Sequence, residues 1–367
     1  MRKTYKYRIY LTNGQRRILN YQLEECRWVW NQMLAAKKFA YEQGFACNRY
    51  DLINLLPGWK QWRPGLKLVH SQVLQNIAIR LDLAFQAFFR RVKAGEGPGY
   101  PRFKGFGRYR SITYPQYGNG VEIRGDDLIV SKIGRVQVVW HRPVEGQIKT
   151  VSLKRSHTGK WYVTLSVEVE PKRLPPTARV VGVDMGLESF FTTSDGGKIE
   201  NPRFFRRDEA ELKRVQKLKD AAKNAQKWDD NRHRKKALAH IHERIRFRRD
   251  DFAHKRSRAL VNAYQVIAFE ALEPQQMGRS CGMRKSIADA AWSQLIQYTS
   301  NKAEEAGRTV VLVNPRNTSK MCSSCGTLVE KALSVRVHTC PHCGLVLDRD
   351  QNAAINILRL GLQKLRL

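Results

Sequence analysis

The chain has 367 residues, 42% of them hydrophobic, enough for two or three domains with buried cores. Its 66 Lys and Arg exceed 33 Asp and Glu by 33 charges, which points to a polyanionic partner, and no stretch approaches the ~20 consecutive apolar residues of a spanning helix. Of seven cysteines, four form two C-x2-C pairs while Cys26, Cys47 and Cys281 are scattered; with no apolar leader in MRKTYKYRIYLTNGQRR, this argues against a secreted disulfide framework and for reduced thiols inside a cell.

Residues 1–10, MRKTYKYRIY, alternate as a strand does. Residues 15–45 and 70–93 carry apolar positions at helical spacing, and Leu74, Ile77, Leu81, Phe85 and Phe88 share one face, which is expected to be buried. The Gly/Pro-rich GEGPGYPRFKGFG at 95–107 ends that helix in a loop. Strand-like runs return over 121–170, in VEIRGDDLIV, RVQVVW, TVSLKRS and WYVTLSVEV. A small β-barrel into which a helical module is inserted accounts for this order.

After PKRLPP, ARVVGVDMGLESFFTTSDGGKIE reads as an apolar strand ending at Asp184, a tight glycine turn and two more strands. Residues 203–258 contain no Gly or Pro and hold 20 Lys/Arg against 9 Asp/Glu. With Leu212, Val215, Leu238, Ile241, Ile245 and Phe252 at helical intervals, they predict one or two long basic helices. Such a run can be a merely solvated face; its uniform sign and length favour a surface for nucleic-acid backbone. YQVIAFEAL at 264–272 is a buried strand with Glu270 near its C-terminal end, WSQLIQYTSNKAEEAG a helix stopped by Gly307, RTVVLVNPRN a strand, and DQNAAINILRLG a last helix. Three strands, helix, strand, helix, strand, helix is the order of a ribonuclease-H-like α/β domain.

In that layout Asp184 and Glu270 project from the ends of neighbouring central strands, and Asp350 faces them from the start of the last helix. Three converging carboxylates repel one another unless cations bridge them, and Mg²⁺ is the hard ion that suits carboxylate oxygen. Two such ions ~4 Å apart activate water and stabilise the leaving oxygen of a phosphodiester. Asp348 is the nearest rival to Asp350. Cys322, Cys325, Cys340 and Cys343, spaced C-x2-C-x14-C-x2-C, predict one tetrahedral Zn²⁺ site, structural because four sulfurs leave no open position. His338 and His342 are surplus to it and expected at the surface. His240-Ile241-His242 matches the His-hydrophobic-His of single-strand transposases, but in a helix residues i and i+2 diverge by ~200°, so it is not a metal clamp.

GVDMGL, HKRSRALVNAYQVIAFEAL, NPRNTSKMCSSCG, HTCPHCG and DRDQNAAINI together resemble the TnpB family, transposon-encoded RNA-guided nucleases related to type V CRISPR effectors. YKYRIYLTNGQ, HSQVLQNIAIRLDLAFQAFFRR and GYPRFKG extend the likeness over nearly the whole chain. The resemblance implies a wedge β-barrel (1–10 and 109–175), a helical recognition module (11–108), a RuvC nuclease domain (176–317 and 346–367) and a zinc-binding, target-nucleic-acid-binding insert (318–345). It implies a guide RNA from the transposon end, double-stranded target DNA met beside a short adjacent motif, cleavage at one RuvC site with two Mg²⁺ per site, and a monomeric ribonucleoprotein in the prokaryotic cytoplasm, at the nucleoid, with no membrane partner. Candidate nucleic-acid contacts are Ser71 and Gln75 in the recognition helix, Lys104, and Tyr114 and Gln116 in the wedge, since Gln pairs bidentately with adenine. Ala271 stands where an acid often follows the catalytic glutamate, and Pro274 lies close behind, so the loop there is expected to differ. The competing readings are a nuclease-silent RNA-guided repressor and a zinc-ribbon RNA-binding protein.

Overall fold

The computed structural model describes residues 1–273, 277, 283–332 and 334–366, which fall into two compact units, Met1–Val169 and Glu170–Leu367. Cys281 and Pro274 lie outside the described residues.

In the first unit, β1 (Arg2–Tyr10) is followed by α1 (Asn13–Glu42), α2 (Arg49–Asn54), α3 (Leu56–Trp62), a 3-10 turn at Pro64–Leu68 and α4 (Ser71–Lys93). Six strands follow: β2 (Ser111–Tyr114), β3 (Val121–Arg124), β4 (Asp127–Val130), β5 (Gly134–Val139), β6 (Gln147–Arg155) and β7 (Trp161–Glu168). All seven form one antiparallel, nearly closed sheet in the order β2-β6-β7-β1-β5-β4-β3. The alternation of MRKTYKYRIY has the expected cause, because Tyr5, Tyr7 and Ile9 point into the core from a central strand. A capping box starts α1: the Thr12 hydroxyl accepts from Gln15 N at 3.2 Å and the Gln15 side chain accepts from Thr12 N at 3.0 Å. Leu74, Ile77, Leu81 and Phe85 are buried and Phe88 half-buried, and strands and helices share one hydrophobic core. The short α2 and α3 were not legible in the periodicity. Each buries a single leucine, Leu52 or Leu56, too little to make a stripe.

The second unit opens with β8 (Val180–Met185), β9 (Ser189–Thr193) and β10 (Lys198–Glu200), then α5 (Phe204–Asn224) and α6 (Trp228–Ala263). β11 (Val266–Glu270), α7 (Arg284–Ala290), α8 (Trp292–Ala306), β12 (Thr309–Val313), the hairpin β13 (Val337–Thr339) and β14 (Val346–Asp348), and α9 (Arg349–Leu365) complete it. The main sheet runs β10-β9-β8-β11-β12, with β8, β11 and β12 parallel and the first three strands antiparallel. β11 is buried along its whole length, as a continuous apolar run in a parallel sheet should be. Two glycines let α9 lie on this sheet. A Cβ at Gly182 would stand 2.0 Å from the Ala354 carbonyl oxygen, and one at Gly361 would stand 2.7 Å from the Ala268 Cβ. The basic segment is two helices, packed through Leu212, Val215, Ile241 and Ile245. No helix of the described residues is long and apolar enough to cross a membrane.

Candidate active site and metal centre

β8 and β11 run side by side with Val183 opposite Phe269, so Asp184 and Glu270 emerge together at the same C-terminal edge of the sheet. Asp350 is the second residue of α9. Glu270 is 6% exposed, Asp350 8%, and Asp184 half-buried. Burial, then the charges of Glu270 and Asp350, push the Asp184 carboxyl well above the usual carboxylate range. Burial also raises Glu270, partly offset by the hydroxyl of Thr318, which donates to Glu270 Oε1 at 2.5 Å.

Cationic side chains meet Asp350. Arg336 Nη2 donates to its Oδ2 at 2.8 Å while lying 2.6 Å from Glu188, and Arg349 reaches its Oδ1 through Nε and Nη2, both at 3.2 Å. Asp348 is engaged differently. It caps α9, accepting from the backbone N–H of Asp350 at 3.0 Å and Gln351 at 3.1 Å, and takes Lys198 Nζ at 2.7 Å. The crowding at Asp184 and an all-oxygen donor set fit Mg²⁺.

Among the described residues, Cys322, Cys325, Cys340 and Cys343 are the one group of three or more His, Cys, Asp or Glu whose ligand atoms all lie within 4.8 Å. Sγ atoms of Cys322 and Cys343, and of Cys325 and Cys340, are 3.6 Å apart, the separation expected around a tetrahedral Zn²⁺ with Zn–S bonds of ~2.3 Å. This cluster is locked to α9 by two buried amides. Asn352 accepts from Ser323 N at 2.9 Å and donates to the Met321 carbonyl at 2.8 Å, while Asn356 donates to the carbonyls of Thr318 at 3.0 Å and Met321 at 2.6 Å. The same Thr318 holds Glu270, so one polar chain links zinc knuckle, last helix and acid. Thr318, Arg336, Asn352 and Asn356 were not proposed for these roles from sequence. Two asparagines four residues apart, and so on one face of the last helix, were the available signal.

Two sequence expectations need correction. His338 is not at the surface but 0% exposed, because β13 alternates and turns its middle residue inward. Its Nδ1 meets Lys331 Nζ, its Nε2 has no partner, and burial followed by the Lys331 charge lowers its pKa. His342 is exposed as expected. Tyr114 is 1% exposed, an inward residue of β2, and is unavailable for reading DNA. Ser71, Gln75 and Gln116 are exposed, with Gln72 donating to Gln116 at 3.1 Å and Lys60 to Ser71 at 3.0 Å. Lys104 is half-buried, its ammonium 4.2 Å from the Trp30 ring centroid. His240 and His242 are exposed on α6 with Ile241 buried between them.

The family described as "Cas12f1-like, TNB domain" matches residues 292–357, "Probable transposase" matches 164–280, and "Helix-turn-helix domain" matches 1–45. That last segment is here a strand and one long helix rather than two helices. A Streptomyces pristinaespiralis protein named "Putative RNA-guided DNA endonuclease" is 33% identical over 99% of this chain and 90% of its own. "Putative RNA-guided DNA endonuclease InsQ" of Escherichia coli (strain K12) is 30% identical over 92% of this chain and 86% of its own. "CRISPR-associated endodeoxyribonuclease Cas12f1" of Sulfoacidibacillus thermotolerans is 26% identical over 65% and 60%. A solved structure, "Cryo-EM structure of the Cas12f1-sgRNA-target DNA complex", aligns over 98% of this chain and 99% of that one at 15% identity, and its TM-score of 0.38 is too low to carry a fold assignment. On near-full-length identity to these relatives, the chain belongs to the TnpB family.

Proposed function

We propose that this protein is an RNA-guided DNA endonuclease, a reading carried by the convergence of Asp184, Glu270 and Asp350 at one sheet edge and supported by the names of its full-length relatives. The second unit is read as a ribonuclease-H-like RuvC domain over 176–317 and 346–367, with residues 318–345 as its zinc-held insert. The wedge is assigned to 1–10 and 109–175 and the recognition module to 11–108. Asp184, Glu270 and Asp350 would hold two Mg²⁺, which supply a nucleophilic hydroxide and neutralise the leaving oxygen of the phosphodiester. Thr318 fixes the rotamer of Glu270, and the Asp348 cap fixes the first turn of α9 so that Asp350 faces the strands.

A guide made from the transposon end would deliver sequence specificity by base pairing, so the protein itself grips backbone and heteroduplex shape, for which a net charge of +33 is suited. Ser71, Gln75 and Gln116 are the proposed readers of the adjacent motif. A nuclease-silent repressor would tolerate loss of an acid, whereas all three are present here. A zinc-ribbon RNA-binding protein gives no reason for two buried carboxylates, Glu270 and Asp350, whose charges push up a third, Asp184. The test is to sequence the RNA that copurifies and supply DNA matching its variable end beside randomised flanks. A structured RNA and cuts only beside one short motif are expected; random RNA, or no cutting beside any flank, would contradict the reading.

A further inference from the structure

Both oxygens of Asp350 are engaged by guanidinium groups: Arg349 donates to Oδ1 through Nε and Nη2, and Arg336 donates to Oδ2 through Nη2 at 2.8 Å. The two arginines differ in what else holds them. Arg349 is mostly buried, and its Nη1 also donates to the Val335 carbonyl at 3.3 Å. Arg336 is more exposed, and the same Nη2 lies 2.6 Å from Glu188, a 67% exposed acid in the β8–β9 connection. The Arg336 side chain is not needed to join the hairpin to α9, because Arg349 N donates to the Arg336 carbonyl at 2.8 Å and Val337 pairs with Asp348. One nitrogen thus stands between two carboxylates, one belonging to the acid cluster and one outside it.

We propose that Arg336 competes with the metal ion for Asp350, and that Glu188 is the partner it passes to when the ion wins. The inference rests on the reading of Asp184, Glu270 and Asp350 as a Mg²⁺ site. An ion bound to Oδ2 at the ~2.1 Å of Mg²⁺ would stand within ~5 Å of Arg336 Nη2 and be repelled by it. The charge of Arg336 already reaches the other acids. Burial and the charges of Glu270 and Asp350 raise the Asp184 carboxyl, and Arg349 and Arg336 partly offset them. Arg336 therefore relieves the same crowding that a metal ion relieves, which makes it a rival, and the nearby Glu188 lowers the cost of its leaving. It is a positioning residue that acts through Asp350 and sets how much metal the site needs.

Mn²⁺ titrations followed by electron paramagnetic resonance, on full-length protein carrying its copurified RNA, test this without any cutting. A triple Asp184→Ala, Glu270→Ala, Asp350→Ala variant subtracts the ions held by RNA. Arg336→Gln should tighten acid-dependent Mn²⁺ binding about ten-fold, the scale of one charge-assisted hydrogen bond removed from the competing arrangement, while Arg336→Lys stays near wild type. The Mg²⁺ concentration for half-maximal cutting should fall by the same factor in Arg336→Gln. Glu188→Gln should weaken Mn²⁺ binding about three-fold, because the arginine loses its second partner. In the Arg336→Gln background the same change should do nothing further, since Glu188 acts only through the arginine. Unchanged Mn²⁺ affinity in Arg336→Gln, with zinc content and melting temperature intact, would overturn the proposal. So would a loss from Glu188→Gln that persists in full without the arginine, which is how a general field effect behaves. Should Arg336→Gln fail to fold, Glu188→Gln alone decides: weaker binding supports the competition and unchanged binding sinks it. Absence of acid-dependent Mn²⁺ from wild type would overturn the competition together with the metal site. If the Mn²⁺ results hold but wild type cuts no DNA, the nuclease reading has failed and the competition stands.

Discussion

Glu270 is buried at the end of a central strand, and the Thr318 hydroxyl is the donor that reaches it. Thr318→Val removes that donor while keeping the shape, so the carboxylate loses a charge-assisted hydrogen bond of about 1.5–3 kcal/mol. Cleavage at limiting Mg²⁺ should fall about ten- to a hundred-fold, with Thr318→Ser near wild type, as measured by single-turnover rates across a Mg²⁺ series. Asp184 allows a second prediction with a defined sign. Its folded pKa is raised, so the stability its neutral form contributes is complete below the ordinary carboxylate pKa and is lost as pH rises through the raised value. In EDTA at neutral pH, Asp184→Asn should therefore melt about 2–4 °C above wild type, with the gap closing toward acid and reversing when Mg²⁺ is added. The places of the three proposed acids, at two strand ends and a helix start, and the cluster of four cysteines were legible because the elements and the C-x2-C spacing announce them locally. Thr318 was not, since its partner lies 48 positions away and only the packed sheet brings them together. Tyr114 was misread for the converse reason: a polar-tipped residue in an alternating strand gives no sign in sequence of which face is the inner one.

Among the elements, β1, α4, the paired basic helices and the five strands of the second sheet follow patterns of apolar spacing visible in the chain. β13 and β14, three residues each, have no such pattern and are held by the cysteine turns and by α9. Asn352 and Asn356 make the first cysteine segment, residues 318–323, and α9 one construction. Stripping zinc should therefore disorganise the segment that carries Thr318 and displace Glu270 and Asp350 together. A strong chelator, or Cys322→Ser with Cys340→Ser, is expected to abolish cleavage while RNA binding falls less than about three-fold, because the long basic helices do not depend on the knuckle. Cutting that persists in zinc-free protein, checked by metal analysis, would separate the knuckle from the site.

At the scale of the whole molecule the governing quantity is the net charge of +33. Binding of guide RNA should fall steeply and log-linearly with salt, in proportion to the phosphates neutralised. Changing Arg234, Lys235 and Lys236, an exposed run on α6, to Glu should weaken that binding at least ten-fold and flatten the salt slope by about 3, leaving zinc content unchanged. A flat salt dependence in wild type would remove the electrostatic basis of recognition. The central claim, that guide-directed DNA cleavage is performed by Asp184, Glu270 and Asp350 acting together, is tested most directly by one comparison. Wild type and Asp350→Ala, each loaded with the copurifying RNA, are given matched double-stranded DNA and Mg²⁺. Wild type should cut and Asp350→Ala should bind the same RNA and target yet lose cleavage as completely as a triple Asp184→Ala, Glu270→Ala, Asp350→Ala variant, since groups that act as a unit fail as one. Equal cutting by wild type and Asp350→Ala would contradict the account and move the active site elsewhere.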